Sequence, residues 1–184
     1  METVTPEELA GTECRYAPGA SAEILFMRQT LDAAGDNEWV DNYRRIKIYS
    51  PKGVEDLGVM SIEYPSQARV WDLAARVTKP NGAVAEYGQK SFTESVSAKY
   101  KSDKWKRWTL AIPALEAGDV LEFQWAASIE SESNYYSWWY SQLNLPVRRF
   151  NFHVKKSRHD CRLLWFNTAN EIDKQAKKQQ GELN

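Results

Sequence analysis

Along most of this chain apolar and polar side chains alternate in short runs, each bounded by residues that turn the backbone. The clearest run is 120–129. Leu121, Phe123, Trp125, Ala127 and Ile129 fall on one side of an extended backbone, with Val120, Glu122, Gln124, Ala126 and Ser128 on the other. A repeat of two is what a pleated strand imposes, and a strand with so apolar a side is expected at the centre of a sheet. Residues 70–87 read as a hairpin: Trp71, Leu73, Ala75 and Val77 share a side, Lys79-Pro80-Asn81-Gly82 turns the chain, and residues 83–87 return. Pro80 pre-sets φ at the second turn position and Gly82 accepts the positive φ of a type I turn closed by a bulge.

Further strands follow from the same alternation. Residues 20–31 read as a first strand, with a helix also compatible with the pattern. After turn material at 32–37, residues 39–49 put Ile46 and Ile48 on one face and Arg45, Lys47 and Tyr49 on the other; Ser50-Pro51-Lys52-Gly53 then reads as a turn. Residues 58–64, 105–112, 147–155 and 162–167 complete the set, with a turn at 115–119 feeding the central strand. Residues 88–104 space Phe92, Val96 and Tyr100 by four, which fits a short helix or a mobile loop. Strands with one apolar face each must bury that face against another layer, so the expected fold is all-β, an antiparallel β-sandwich of two packed sheets with minor helical turns. The expected division is an N-terminal arm at 1–19, a sandwich domain at 20–167 and a polar segment at 168–184.

Composition narrows the partners. The 24 basic and 25 acidic side chains nearly cancel, leaving no global field to attract nucleic acid. No apolar run reaches the ~20 residues that span a bilayer, and the first residues lack a basic-then-apolar export pattern, so the chain as given reads as soluble. Two cysteines, Cys14 and Cys161, leave free thiols or one long-range bridge open.

Candidate chemistry is sparse. A thiol nucleophile needs an adjacent base, and the only pairings are Cys14 or Cys161 with His153 or His159; structural cysteine is the expected reading. His159, Asp160 and Cys161 are consecutive on an extended turn, point apart, and lack the spaced partners of a closed metal site, so no metal or cofactor is expected. Glu63, Asp72 and Glu122 are conceivable as paired acids but read as acids on solvated strand faces. Tyr135, Tyr136, Trp138, Trp139 and Tyr140 form a candidate platform for stacking a sugar ring or a peptide, set against core packing and an interdomain seam. The basic residues Arg148, Arg149, Lys155, Lys156, Arg158 and Arg162 are divided between strand faces and read as solvated surface.

Several motifs fall in a specific order: Arg45-Ile46-Lys47-Ile48-Tyr49-Ser50-Pro51-Lys52-Gly53, then Ala74-Ala75-Arg76-Val77-Thr78-Lys79-Pro80-Asn81-Gly82, then Leu115-Glu116-Ala117-Gly118-Asp119-Val120-Leu121-Glu122-Phe123, then Gln142 with Pro146-Val147. Together they resemble the DUF3857 family over residues 20–167, with Asn81 standing where an Asp is common. The resemblance implies a bacterial, largely β-sandwich domain that lies N-terminal to a transglutaminase-like, papain-type domain in exported or envelope proteins, and hence an extracytoplasmic (periplasmic or secreted) setting. It also implies that the domain is not itself the catalytic unit, and that the chain is a domain truncated before its final strands. The function expected is that of a non-catalytic accessory domain that positions or presents substrate to that partner. The alternative is a carbohydrate- or peptide-binding module using the 135–140 aromatics.

Overall fold

The computed structural model describes residues 1, 3–33, 37–100, 103–130 and 144–157. A short helix α1 (Pro6–Ala10) precedes β1 (Ala22–Ala33), β2 (Asn37–Ile48), helix α2 (Pro51–Leu57), β3 (Val59–Pro65), β4 (Arg69–Thr78) and β5 (Val84–Tyr87). A 3₁₀ turn (Gln89–Ser91) leads to β6 (Thr93–Tyr100), β7 (Asp103–Ala111), β8 (Val120–Glu130) and β9 (Phe150–Ser157). Among the described residues the strands make a six-stranded sheet, ordered β5-β4-β8-β2-β1-β9, and a three-stranded sheet, ordered β3-β7-β6. Neighbours run antiparallel except β1 and β9, which are parallel. The all-β sandwich expected from the alternation is what forms, and β8 takes a central place, hydrogen-bonded to β4 and β2.

The core lies between the sheets. Ile24, Ile46, Ile48, Ala75, Val77, Leu121 and Phe123 from the large sheet meet Met60 and Leu110 from the small one, and Leu57, Phe92, Ile112 and Leu115 close the ends. Phe92 stacks on Phe123, ring centroids 5.9 Å apart. Each such Val, Leu, Ile, Met or Phe side chain contributes about 1.5–3 kcal/mol by leaving water. The β4–β5 turn has the expected form: Gly82 sits at φ 84 and donates its N–H to the Lys79 carbonyl at 2.9 Å.

Four local expectations change. Ser50-Pro51-Lys52-Gly53 opens α2, because the Ser50 hydroxyl caps the helix and Pro51 occupies its first turn. Gly53 is required there, since a Cβ would meet the Ser21 carbonyl oxygen at 2.4 Å. Residues 88–104 form neither a helix nor a mobile loop but the 3₁₀ turn, β6 and the start of β7. A spacing of four is even, so a strand can satisfy it as readily as a helical turn. Of the turn expected at 32–37, Asp32, Ala33 and Asn37 are strand, since β1 runs to Ala33 and β2 begins at Asn37, and residues 34–36 lie outside the described residues. Finally, the alternation of β4 breaks at a bulge between Trp71 and Ala74, where Asp72 adopts φ 53. The strand expected at 162–167 and the polar segment at 168–184 lie outside the described residues.

Candidate functional site

Strand register sets the charges on the outer face of the large sheet. Arg45 of β2 pairs across to Glu122 of β8, which pairs on to Arg76 of β4; Lys47 lies between Glu23 and Val120. The N-terminal arm lies over these residues. Helix α1 starts in a capping box, with Glu8 N–H donating to the Thr5 hydroxyl at 3.3 Å and Thr5 N–H donating to Glu8 at 2.9 Å. Arg45 donates to both Glu8 oxygens, at 3.0 and 2.8 Å, and to Glu122 at 3.2 Å. Arg76 reaches the other Glu122 oxygen at 2.5 Å, and the Tyr43 hydroxyl also donates to Glu122. Lys47 donates to the carbonyls of Leu9, at 2.6 Å, and Gly118, at 2.5 Å.

These groups are out of water. Glu122 and Glu23 are 0% exposed, Lys47 1% and Arg45 4%. The reading of Glu122 as an acid on a solvated face is therefore wrong; Val120–Phe123 of its strand are covered on both sides, so the polar position among them is interior. Burial, and then the bond to Glu122, hold the Tyr43 hydroxyl well above its ordinary pKa, so it stays a donor. Burial works against the charge on Arg45, but Glu8, Tyr43 and Glu122 outweigh it and keep the guanidinium firmly protonated. Burial likewise opposes ionisation of Glu23, yet Arg148, bonded at 2.8 Å to each oxygen, and the Tyr49 hydroxyl at 2.7 Å bring its pKa below the ordinary value. A carboxylate so fully engaged acts as a fixed counter-ion.

The other sequence candidates are scattered. Cys14 is a buried free thiol, His153 is exposed on β9, and Glu63 is exposed and paired with Arg107. Cys161, His159 and Asp160 lie outside the described residues, as do Tyr135, Tyr136, Trp138, Trp139 and Tyr140. Arg148 serves Glu23, Arg149 lies over the Phe26 ring at 4.4 Å, and Lys155 is 3.8 Å from Asp41; Arg158, Arg162 and the Lys156 side chain lie outside the described residues. Among the described residues no group of three His, Cys, Asp or Glu is arranged to hold a metal ion, and no helix is long and apolar enough to cross a membrane.

Beyond the arm the outer face opens into two hollows. One, of about 320 Å³, is lined by Arg28, Thr30, Asp41, Asp72, Gln124 and Lys155. The other, of about 950 Å³, is lined by Trp39, Trp71, Arg69, Tyr64, Glu94 and Lys106 and follows the edge of β4 to the small sheet. Register links the two: Trp39 and Asp41 are two residues apart on one face of β2, opposite Ser128 and Ala126, and Ala126 in turn faces Trp71. Trp39 and Trp71 meet edge to face with centroids 5.2 Å apart, and Trp39 stays 51% exposed. Tyr64 donates to Glu94, which lowers the carboxyl pKa, and Lys106 lies 3.4 Å from both Glu94 oxygens. Sequence reading passed over Trp39 and Trp71 as strand residues. The available signal was that Trp39 belongs to the same parity as Asp41, Tyr43, Arg45 and Lys47, the side of β2 turned away from the core.

The fold is shared with a structure described as a "putative protease" from Parabacteroides distasonis ATCC 8503, with a TM-score of 0.52 at 12% identity over 59% of this chain. The match takes in 23% of that longer chain. A family 3a carbohydrate binding module from the cipA scaffolding of Clostridium thermocellum aligns with 62% of this chain and 85% of its own at 11% identity, but with a TM-score of 0.32, below that of a shared fold. Comparison with curated proteins gave no match. The family model of the domain of unknown function with solved structure, DUF3857, matches residues 36–184, and the chain belongs to that family.

Proposed function

We propose that this chain is a non-catalytic accessory domain that packs against a transglutaminase-like, papain-type domain, in the same longer chain or another, and positions it or its substrate. The observation that carries the reading is family membership over residues 36–184, since the sequence motifs of that family imply such a neighbour and an extracytoplasmic, bacterial setting. The alignment with part of a longer chain described as a "putative protease" supports it. So does the engagement of Glu122 and Glu23 by Arg45, Arg76 and Arg148, which suits them to holding a rigid scaffold. We assign the contact to the outer face of the three-stranded sheet, where Val59 (59% exposed) and Trp105 (43%) stand on the same side. An exposed Trp amid polar neighbours is the kind of residue that anchors an interface.

The test uses a natural chain in which this domain and a papain-type domain occur together. Deleting this domain is expected to lower the melting temperature or the thiol-dependent turnover of the other, and Trp105→Ala to reproduce part of that effect. No change in either quantity on deletion rejects the reading.

A further inference from the structure

We propose that the two neighbouring hollows on the large sheet's outer face form a binding site for a neutral oligosaccharide, with Trp39 and Trp71 as the stacking end and Asp41, Asp72 and Gln124 as the hydrogen-bonding end. The site is distinct from the interface assigned above, which uses Val59 and Trp105 on the outer face of the small sheet, whereas Tyr64, Glu94 and Lys106 belong to its opposite face.

Three observations carry it. First, a half-exposed Trp39 is fixed from the side by Trp71 at 5.2 Å, so a large flat ring is presented to solvent without freedom to fold away. Aromatic rings held in this way offer area at little entropic expense, and the C–H faces of a pyranose match them. Second, the β4 bulge spends an unfavourable conformation, φ 53 at Asp72, on breaking the regular alternation, and Trp71 and Asp72 then each line one of the two hollows. A non-glycine residue in the left-handed region is tolerated where re-aiming a side chain matters. Third, the hollows mix Asp41, Asp72 and Glu94 with Arg28, Arg69, Lys106 and Lys155. Both signs are interspersed, so neither an acidic nor a basic polymer gains from the field, whereas a chain of hydroxyls can donate to the carboxylates and accept from the cations and Gln124.

The same geometry disfavours an extended peptide. Among the described residues β5 pairs with Ala75–Thr78 and none pairs with that same edge of β4 beside Trp71, but the bulge between Trp71 and Ala74 breaks the ladder on which an added strand would have to zip. The polar end reaches from β4 to Lys155 on β9 across four strand spacings of ~4.8 Å, room for several sugar rings.

The test is titration of the whole chain with cellohexaose, xylohexaose and chitohexaose, and separately with an equimolar mixture of extended 12-residue peptides, followed by tryptophan fluorescence and calorimetry. The expected result is saturable binding of at least one glycan with Kd below about 1 mM, weakened about tenfold or more in Trp39→Ala and in Asp72→Gly. Asp72→Gly keeps the positive φ that glycine accepts, so its melting temperature should match the parent and separate loss of the carboxylate from loss of fold. No glycan binding at about 10 mM, binding undiminished in both variants, or binding of the peptides alone overturns the proposal. None of these outcomes bears on the interdomain contact, which is measured through Trp105 and the papain-type domain.

Discussion

The two faces of the six-stranded sheet are built from the same strands by opposite means. On the inner face Leu121 and Phe123 pack against a second sheet; on the outer face, one residue out of step, Val120 and Glu122 are equally buried, but Glu122 is surrounded by Arg45, Arg76 and Tyr43. The apolar face gains from each atom removed from water and loses it in proportion when atoms are deleted. The ionic face behaves as a set. Its charges were costly to bury and are tolerable only together, so removing one leaves the others stranded.

The largest effect expected follows from that asymmetry. Glu122→Ala should destabilise by about 3–5 kcal/mol, because two guanidinium groups and a tyrosine hydroxyl lose their shared acceptor in the interior. Urea unfolding measures it. The comparison sharpens if Arg45→Met and Arg76→Met are combined with Glu122→Leu: the triple variant should recover most of the loss, since an apolar set of similar volume avoids desolvating ions. A triple variant less stable than Glu122→Ala contradicts the account.

On the apolar side Leu121→Ala should cost about 3 kcal/mol, with no partner substitution that restores it other than one filling the cavity. Next comes the arm. Glu8→Ala removes the two bonds to Arg45 and should cost about 1–2 kcal/mol. Limited proteolysis should then cut within residues 1–19 before the remainder of the domain opens; uniform cleavage would show that the arm is not a separable cover.

The smallest effect is in acid. The pKa of Glu23 is lower in the folded chain than in the unfolded one, so its contribution is complete above the unfolded carboxylate value of about 4.3 and is lost as pH falls through the lower folded value. Melting temperature should fall below about pH 4, and Arg148→Met should flatten that part of the profile. An unchanged slope in the variant would remove Glu23 from the explanation.

Much of the architecture is legible from residue order. Alternation gave the strands because a pleat repeats every two residues whatever surrounds it, and Pro80 and Gly82 gave the hairpin because their φ preferences are local. In the arm a short helical turn was one of two readings, and the Thr5-x-x-Glu8 capping box decides for it; the helix at Pro51–Leu57 was equally local and was passed over, Ser50-Pro51 being a cap followed by a favoured first residue. The candidate site was less accessible. Trp39 and Trp71 are thirty-two residues apart and become neighbours only through β8, which pairs with both strands.

What the sequence by itself determined, then, is which residues share a face wherever a strand is regular, because that depends on the backbone's own period; at the β4 bulge it did not, and Trp71 lies on the face opposite Leu73, Ala75 and Val77. Which of the two faces meets water was decided by tertiary structure. Arg45, Lys47 and Glu122 have the residue types of a solvated side, and they are buried because α1 and its flanking residues, far away in sequence, supply a carboxylate and a carbonyl to receive them. Charge can leave water only where a distant segment brings its counter-charge, and no pattern within a single strand carries that information.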